Sequence, residues 1–455
     1  MQRKVPFMKV AESFGECVNV LDNGPLTDEN FALFYTEFSE PYRIDIIKQL
    51  NFRLKNSISP ATFKFILAGH RGVGKSTELL RVSRLCSEYK TIFINVSDSV
   101  HNRELLYTNV LMHIADELMK FGVTTGIIDE DDEVLDPLMD YWDKEVQYSK
   151  IIHNVKEEKN DLSVGAGAGG KLSTKFELLK FLKTALTLNV KGNASFSYGN
   201  AKTSTVDEVI NTVISKNNSL FIHALNVLVH KIRKNLGNQK LLLIINEFDR
   251  DSNLILSKQV FKDHIDAFLG IDIDMIYSYP VHLLYDPEYS HIRDKFTCVY
   301  QLGVVEIIGD DRHYMQGGID LLKELVYKRI KRTLIDDNAL ELAIKMSGGL
   351  IRDVFSMLID AATSAAVCNH DIIELVDVQK SIRTLEERYI KLIRIDDAFR
   401  KITEMSGNPY QQVTSDLREL LRTECVLEYS NNRYMVHPTV LRFLKRIGRM
   451  VDEYE

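Results

Sequence analysis

The chain has 455 residues, 45% of them apolar and 27% charged, which is the balance of a soluble globular protein of about two to four domains. That balance excludes a disordered chain, a collagen and a disulfide scaffold. The net charge of −7 excludes a strongly basic nucleic-acid binder at the level of the whole chain, though it leaves room for a local basic patch.

Residues 1–60 precede the first strand of the predicted core and form an N-terminal arm. They carry the aromatics Phe31, Phe34, Tyr35, Phe38 and Tyr42, and a helical pattern over residues 43–55. Residues 63–68 are a short apolar run, consistent with a buried parallel strand. The next stretch, Gly69, His70, Arg71, Gly72, Val73, Gly74, Lys75, Ser76, Thr77, completes the pattern GxxxxGK[ST]. Residues 77–89 then place Leu79, Leu80, Val82, Leu85 and Cys86 at helical spacing. This order of strand, glycine loop and helix suits phosphate chemistry. Glycines let backbone N–H groups turn around phosphates, and the helix N-terminus adds its positive end. Lys75 suits the β- and γ-phosphates, and the Ser76 hydroxyl suits Mg²⁺. ATP and Mg²⁺ are the expected ligands.

Residues 91–96 read as a second buried strand and 104–121 as an amphipathic helix. Residues 123–205 do not fit the core and read as an insertion. Its acidic stretch, 129–145, carries net −8 and leaves the rest of the chain at +1. Gly165 to Lys171 repeats the GxxxxGK spacing, but Leu172 stands where Ser or Thr is needed and no apolar strand precedes it. Residues 186–198 alternate around Gly192-Asn193, which predicts a β-hairpin whose apolar face needs a partner surface. That surface lies either within this chain or on another protein. Residues 220–236 read as a helix, and 241–245 as a buried strand ending at Asn246 and Glu247.

Residues 274–279 predict a further strand, with Ser278 either facing the phosphates or simply ending the strand. Helical patterns follow over 318–332 and 337–346, then Gly348-Gly349 breaks the chain just before a helix that begins near Arg352. Residues 413–423 read as a helix, 425–429 and 433–437 as strands about Asn431-Asn432, and 439–449 as a closing helix. From 381 to 455 the net charge is only +1, and the helix that would enter a DNA groove mixes Asp416 and Glu419 with Arg418 and Arg422. DNA binding is therefore possible but not favoured.

Residues 240–250 (KLLLIINEFDR) resemble the Walker B motif, with Asn246 where an Asp orients the Mg²⁺ shell and Glu247 where a Glu activates water. Asn246 brings no charge, so weaker metal organisation and slow hydrolysis are expected, with Asp249 nearby to compensate in part. Together with GHRGVGKST, SGGLIRDVF and VLEYSNNRYMVHP, this stretch makes the chain similar to bacterial AAA+ or STAND-like P-loop ATPases. The layout also resembles the origin-recognition ATPases. The resemblance implies an α/β P-loop NTPase core with helices on both faces of a parallel sheet, a helical lid, and a C-terminal winged helix. It implies a core over 61–310, interrupted by the insertion, a lid over 311–385 and a winged helix over 386–455.

On the same resemblance, Arg352 is the lid's sensor-2 arginine, suited to gripping a phosphate. Arg293 and Arg250 are candidate arginine fingers for a neighbouring subunit, or else surface arginines. The arm covers the adenine or packs on the core. Lys75, Glu247, Arg352 and Arg293 form the expected catalytic set, and Ser76, Asn246 and Glu247 the metal set. Many proteins of this group sit in defence or signalling systems. The expected activity is a nucleotide-dependent switch or assembly module with probable ATPase chemistry; an origin-recognition-like DNA-loading ATPase and a non-hydrolysing scaffold are the alternatives. Self-association or an effector protein, through the insertion or the winged helix, is the expected partnership.

Five scattered cysteines with no CxxC pair read as reduced thiols. No apolar run approaches the roughly 18 residues of a membrane span. The first twenty residues lack the apolar stretch of a signal peptide, so a cytoplasmic location is expected.

Overall fold

The computed structural model describes residues 9–22, 24, 26–56, 62–99, 106–138, 196–197, 203–204, 217–249, 254–392, 410, 412–429 and 432–447. Five strands form one parallel sheet: β1 (Lys64–Gly69), β2 (Tyr89–Asn95), β5 (Lys240–Asn246), β6 (Asp274–Pro280) and β7 (Cys298–Gln301). Their order is β2-β5-β6-β1-β7, so the glycine-loop strand and the Asn246 strand are separated by β6. Two short segments, β3 (Phe196–Ser197) and β4 (Thr203–Ser204), pair antiparallel. The rest of the predicted 186–198 hairpin, the second glycine segment and most of the acidic stretch lie outside the described residues.

Both faces of the sheet are buried, as near-continuous apolar strands require. Successive residues of β1 point to opposite faces. Phe65 and Leu67 join a core with Leu79 and Val82 of the helix Lys75–Leu85, with the arm and with the lid. Ile66 and Ala68 join the other core, against the helices Tyr107–Thr124 and Asn218–Asn235. The fold is thus the α/β P-loop class expected, with element ends displaced by a few residues from the sequence reading.

The arm is tied to the helix Lys75–Leu85 by charge. Asp45 caps the helix Ile46–Lys55 by accepting from Lys48 N–H at 3.1 Å, and receives both Arg81 terminal nitrogens at 3.0 and 2.9 Å. Arg81 is buried, so this two-pronged pair sits where water screens it little.

Downstream lie the helices Gln316–Tyr327, Asp337–Met346, Ile351–Cys368 and Leu375–Leu392. They form the helical lid, and their apolar stripes share the first core. The C-terminal segment is the helix Ser415–Arg422, the antiparallel pair β8 (Val426–Tyr429) and β9 (Arg433–Val436), and the helix Pro438–Arg446. All eight residues of β8 and β9 are buried, so this hairpin is wedged into the molecule and does not stand out as a free wing. Among the described residues, no helix is long and apolar enough to cross a membrane.

Candidate functional site

The glycine loop follows directly from β1. Gly72 and Gly74 hold φ of 81° and 100°, values open to glycine and strained for other residues. Gly74 caps the helix Lys75–Leu85, so Lys75 and Ser76 open its first turn. Lys75 Nζ donates to the carbonyls of Gly69 and His70 at 2.8 and 2.7 Å and pairs with Asp249 Oδ2 at 2.8 Å. Asp249 therefore compensates the lysine and not the metal position.

Asn246 ends β5 fully buried, beside the loop. Its Nδ2 donates to Ser76 Oγ at 2.9 Å and to Asn95 Oδ1 at 3.1 Å, while its Oδ1 lies 3.3 Å from Ser76 Oγ. Of the predicted metal set, Ser76 and Asn246 are thus brought together. Glu247 adopts φ of 78°, outside the usual range for a side-chain-bearing residue. Its carboxylate accepts from the Ser97 hydroxyl and from Ser97 N–H at 3.3 Å. Ser97 and Asn95, at the end of the neighbouring strand β2, are site residues that the sequence reading missed. Their only signal was a polar end on an apolar strand.

Ser278 does not serve the phosphate position. It is fully buried, and its Oγ accepts from Phe248 N–H at 3.2 Å, fixing the turn after β5.

The lid closes on the loop at one point. Arg352 N–H donates to Gly72 O at 3.1 Å, and a Cβ on Gly72 would lie 2.3 Å from Arg352 Cβ. The Arg352 guanidinium is held by Glu424 of the C-terminal segment, with its Nε 3.5 Å from Asp353 Oδ1. Burial works against the charge of Arg352, but Glu424 and Asp353 together raise its pKa above the ordinary arginine value. Asp353 is itself fully buried, receives Tyr389 Oη and Arg388 Nη2 (2.7 Å), and lies 3.2 Å from His437 Nε2. Burial alone would push its pKa up; His437, Arg352 and Arg388 instead hold it well below the usual carboxylate range.

The C-terminal hairpin also reaches the loop directly. Glu428 N–H of β8 donates to His70 Nε2 at 2.8 Å. Tyr429 Oη donates to Gly348 O, Tyr285 Oη to the Glu428 carboxylate, and Arg433 to Glu306. Glu424 and Glu428 were not predicted site residues. Glu428 stands between Leu427 and Tyr429 in an apolar strand, a weak signal that it has a partner, whereas Glu424 follows Arg422 and Thr423 and gave none.

A cavity of about 490 Å³ lies over the loop, large enough for a nucleotide. It is lined by Gly72, Gly74, Lys75, Ser76, Thr77 and Arg71 of the loop, by Glu247, Asp249 and Arg352, and by arm residues including Tyr35, Phe38 and Arg43. Arg43 is another unpredicted member. It is buried, donates to Val73 O at 2.8 Å, and lies over the Phe38 ring at 5.2 Å. Val73 itself is fully buried in the core. Arg293 stands apart, exposed on the short helix Ile292–Lys295. Arg250 lies outside the described residues.

No family model and no curated protein matches the chain. Among solved structures, it is similar to a Cdc6p from Pyrobaculum aerophilum, at 15% identity over 93% of this chain and 99% of that one, with a TM-score of 0.38. It is also similar to the Aeropyrum pernix ORC1 protein, solved in complex with DNA, at 11% identity over 95% and 98% of the two chains, with a TM-score of 0.38. The Thermotoga maritima RuvB Holliday junction branch migration motor aligns at 15% identity over 52% of this chain and 85% of its own, with a TM-score of 0.25.

Proposed function

We propose that the chain is an ATP-binding switch of the AAA+ or STAND-like kind, in which ATP and the docked C-terminal segment compete for Arg352. The observation that carries this reading is the position of that arginine. Its amide is bonded to the glycine loop while its guanidinium is held by Glu424, so loop, lid and C-terminal segment meet at one charge. A phosphate is a stronger acceptor for a guanidinium than a carboxylate that must stay desolvated. Burial, only partly offset by Arg352, pushes the Glu424 pKa up, which marks its ionised form as costly where it sits. ATP that engages Arg352 thereby weakens the hold on the C-terminal segment.

Within the site, Lys75 and the loop amides bind the phosphates, Arg352 grips the terminal one, and the arm covers the base. Ser76, Asn246 and Glu247 supply hydroxyl, amide and carboxylate oxygens, a donor set that fits Mg²⁺ in kind. Bound Mg²⁺ neutralises phosphate charge. Glu247, oriented by Ser97, is placed to take a proton from an attacking water. Asn246 adds no charge there, which supports slow turnover. Exposed Arg293 suits a role in trans on a neighbouring copy. An effector would contact the insertion or the C-terminal segment, in a bacterial multi-protein system of the defence type.

The DNA-loading alternative is less well supported. Arg442 and Arg446 of the closing helix lie 3.5 and 3.1 Å from the buried carboxylate of Glu386, and Arg418 pairs with Asp286 at 3.3 Å. These pairs hold partly exposed arginines against carboxylates of the same molecule, which neutralises part of the charge that a phosphate backbone would need. The test is Lys75→Ala, assayed for ATP binding and for size with and without ATP. Loss of both binding and any ATP-dependent size change supports the switch; unchanged binding refutes it.

A further inference from the structure

A second cavity, of about 450 Å³, lies on the other flank of the glycine loop. It shares Arg71, Asp249 and Arg352 with the nucleotide cavity and adds His70, Arg388, Arg422 and Glu424, whose carboxylate is taken up by Arg352. Arginines from the loop, the lid and the C-terminal segment therefore converge on a space next to the one where the terminal phosphate would sit. Arg388 pairs with Asp353 at 2.7 Å and Arg422 with Glu419 at 2.8 and 2.6 Å. The Arg388 and Arg422 side chains are 43% and 30% exposed, against 16% for Arg352, so a phosphate can approach them without displacing their carboxylates, as it must displace Glu424 from Arg352.

His70, which lines the cavity, adds a second observation. Its side chain is 2% exposed. Burial, reinforced by Lys75 and His282, pushes its pKa down to about 3, so the ring is neutral. Its Nε2 accepts from Glu428 N–H, which places the ring proton on Nδ1. That Nδ1–H is buried and has no acceptor among the described residues. A buried donor without an acceptor is uncommon, and an ordered water or an ion is one of its standard explanations.

We propose that this cavity is a second anion subsite that takes a phosphate group, with His70, Arg388 and Arg422 as donors beside Arg71 and Arg352. The inference deepens the nucleotide reading and rests on it for the source of the anion: orthophosphate released from ATP, or the terminal phosphate of a second nucleotide. A phosphate held there touches the helix Ser415–Arg422 and the loop together, so it would report hydrolysis to the C-terminal segment.

The experiment uses the full chain. ADP with Mg²⁺ is titrated first, so that failure of nucleotide binding is seen by itself. Inorganic phosphate is then titrated by calorimetry into the ADP-saturated protein. Binding is expected, and both Arg422→Gln and His70→Leu should weaken it by about tenfold or more, the loss of one charge-assisted hydrogen bond. Arg422 lies outside the nucleotide cavity, so its variant should keep the wild-type affinity for ADP even if His70→Leu proves unstable. If instead a non-hydrolysable ATP analogue binds with two equivalents and phosphate displaces the second, the subsite stands and its source is a second nucleotide. The proposal is overturned if ADP binds but neither phosphate nor a second nucleotide does, or if both substitutions leave phosphate binding unchanged.

Discussion

Replacing Glu424 by glutamine removes the charge that holds Arg352 while keeping an acceptor oxygen of similar shape. Glu424 is buried and the Arg352 side chain is only 16% exposed, and deleting one partner of a buried ion pair costs about 3–5 kcal/mol. The cost should be smaller here. Glutamine still accepts a hydrogen bond, and Asp353 Oδ1 remains 3.5 Å from Arg352 Nε. A loss of about 1–2 kcal/mol in docking of the C-terminal segment follows. If ATP binds only when Arg352 is released, its apparent affinity rises as docking weakens. That change in docking converts to about 5- to 30-fold tighter ATP binding. Equilibrium titration of a fluorescent ATP analogue with Mg²⁺ measures it, with circular dichroism to confirm that the variant is folded. The nucleotide-free variant should also melt lower than wild type, and saturating ATP should recover part of the loss. Unchanged or weaker ATP binding in a folded Glu424→Gln protein would refute the competition between phosphate and carboxylate.

Further expectations follow from the same geometry. Gly72→Ala combines a strained φ of 81° with a Cβ 2.3 Å from Arg352 Cβ, so it should displace the lid from the loop; nucleotide binding should fall by about tenfold or more, and wild-type affinity would be evidence against the lid contact. Glu247→Gln should leave ATP bound and abolish any turnover seen in a phosphate-release assay, whereas Asn246→Asp, which restores a charge beside Ser76, should raise turnover and its sensitivity to Mg²⁺. Asp353 should contribute to the acid limb of stability. Its folded pKa lies below the unfolded value of about 3.9, so its contribution is complete above that pH and is lost as the pH falls below it. Asp353→Asn should flatten that limb in melts taken between about pH 5 and pH 2; an unchanged limb would show that another carboxylate controls it.

The parts of this molecule that rest on local pattern were legible in the sequence. An apolar run, glycines at fixed spacing and a helical repeat located β1, the loop and the helix Lys75–Leu85 to within four residues at their ends. The Asn246 strand was equally clear, because a parallel strand buried on both faces must be apolar until it reaches the site. The parts that rest on distant pairing were not legible. Arg43 meets the carbonyl of Val73 only because Asp45 and Arg81 fold the arm back over the loop. Ser97 meets Glu247 because β2 lies beside β5 in the sheet. Glu424 and Arg352 are separated by 72 positions, and no spacing or composition pairs them. The C-terminal segment shows the limit most plainly. Its helix–hairpin–helix pattern was readable, yet the burial of the whole hairpin against loop and lid depends on how the segment docks.

The most direct test of the central claim is amide hydrogen exchange at β8, where Glu428 N–H is donated to His70 of the loop. Residues 426–429 and 433–436 should be protected without nucleotide and exchange faster when ATP and Mg²⁺ are added. In Lys75→Ala no such change should occur. Protection that stays constant or increases on saturating ATP, in wild-type protein shown to bind it, would contradict the account.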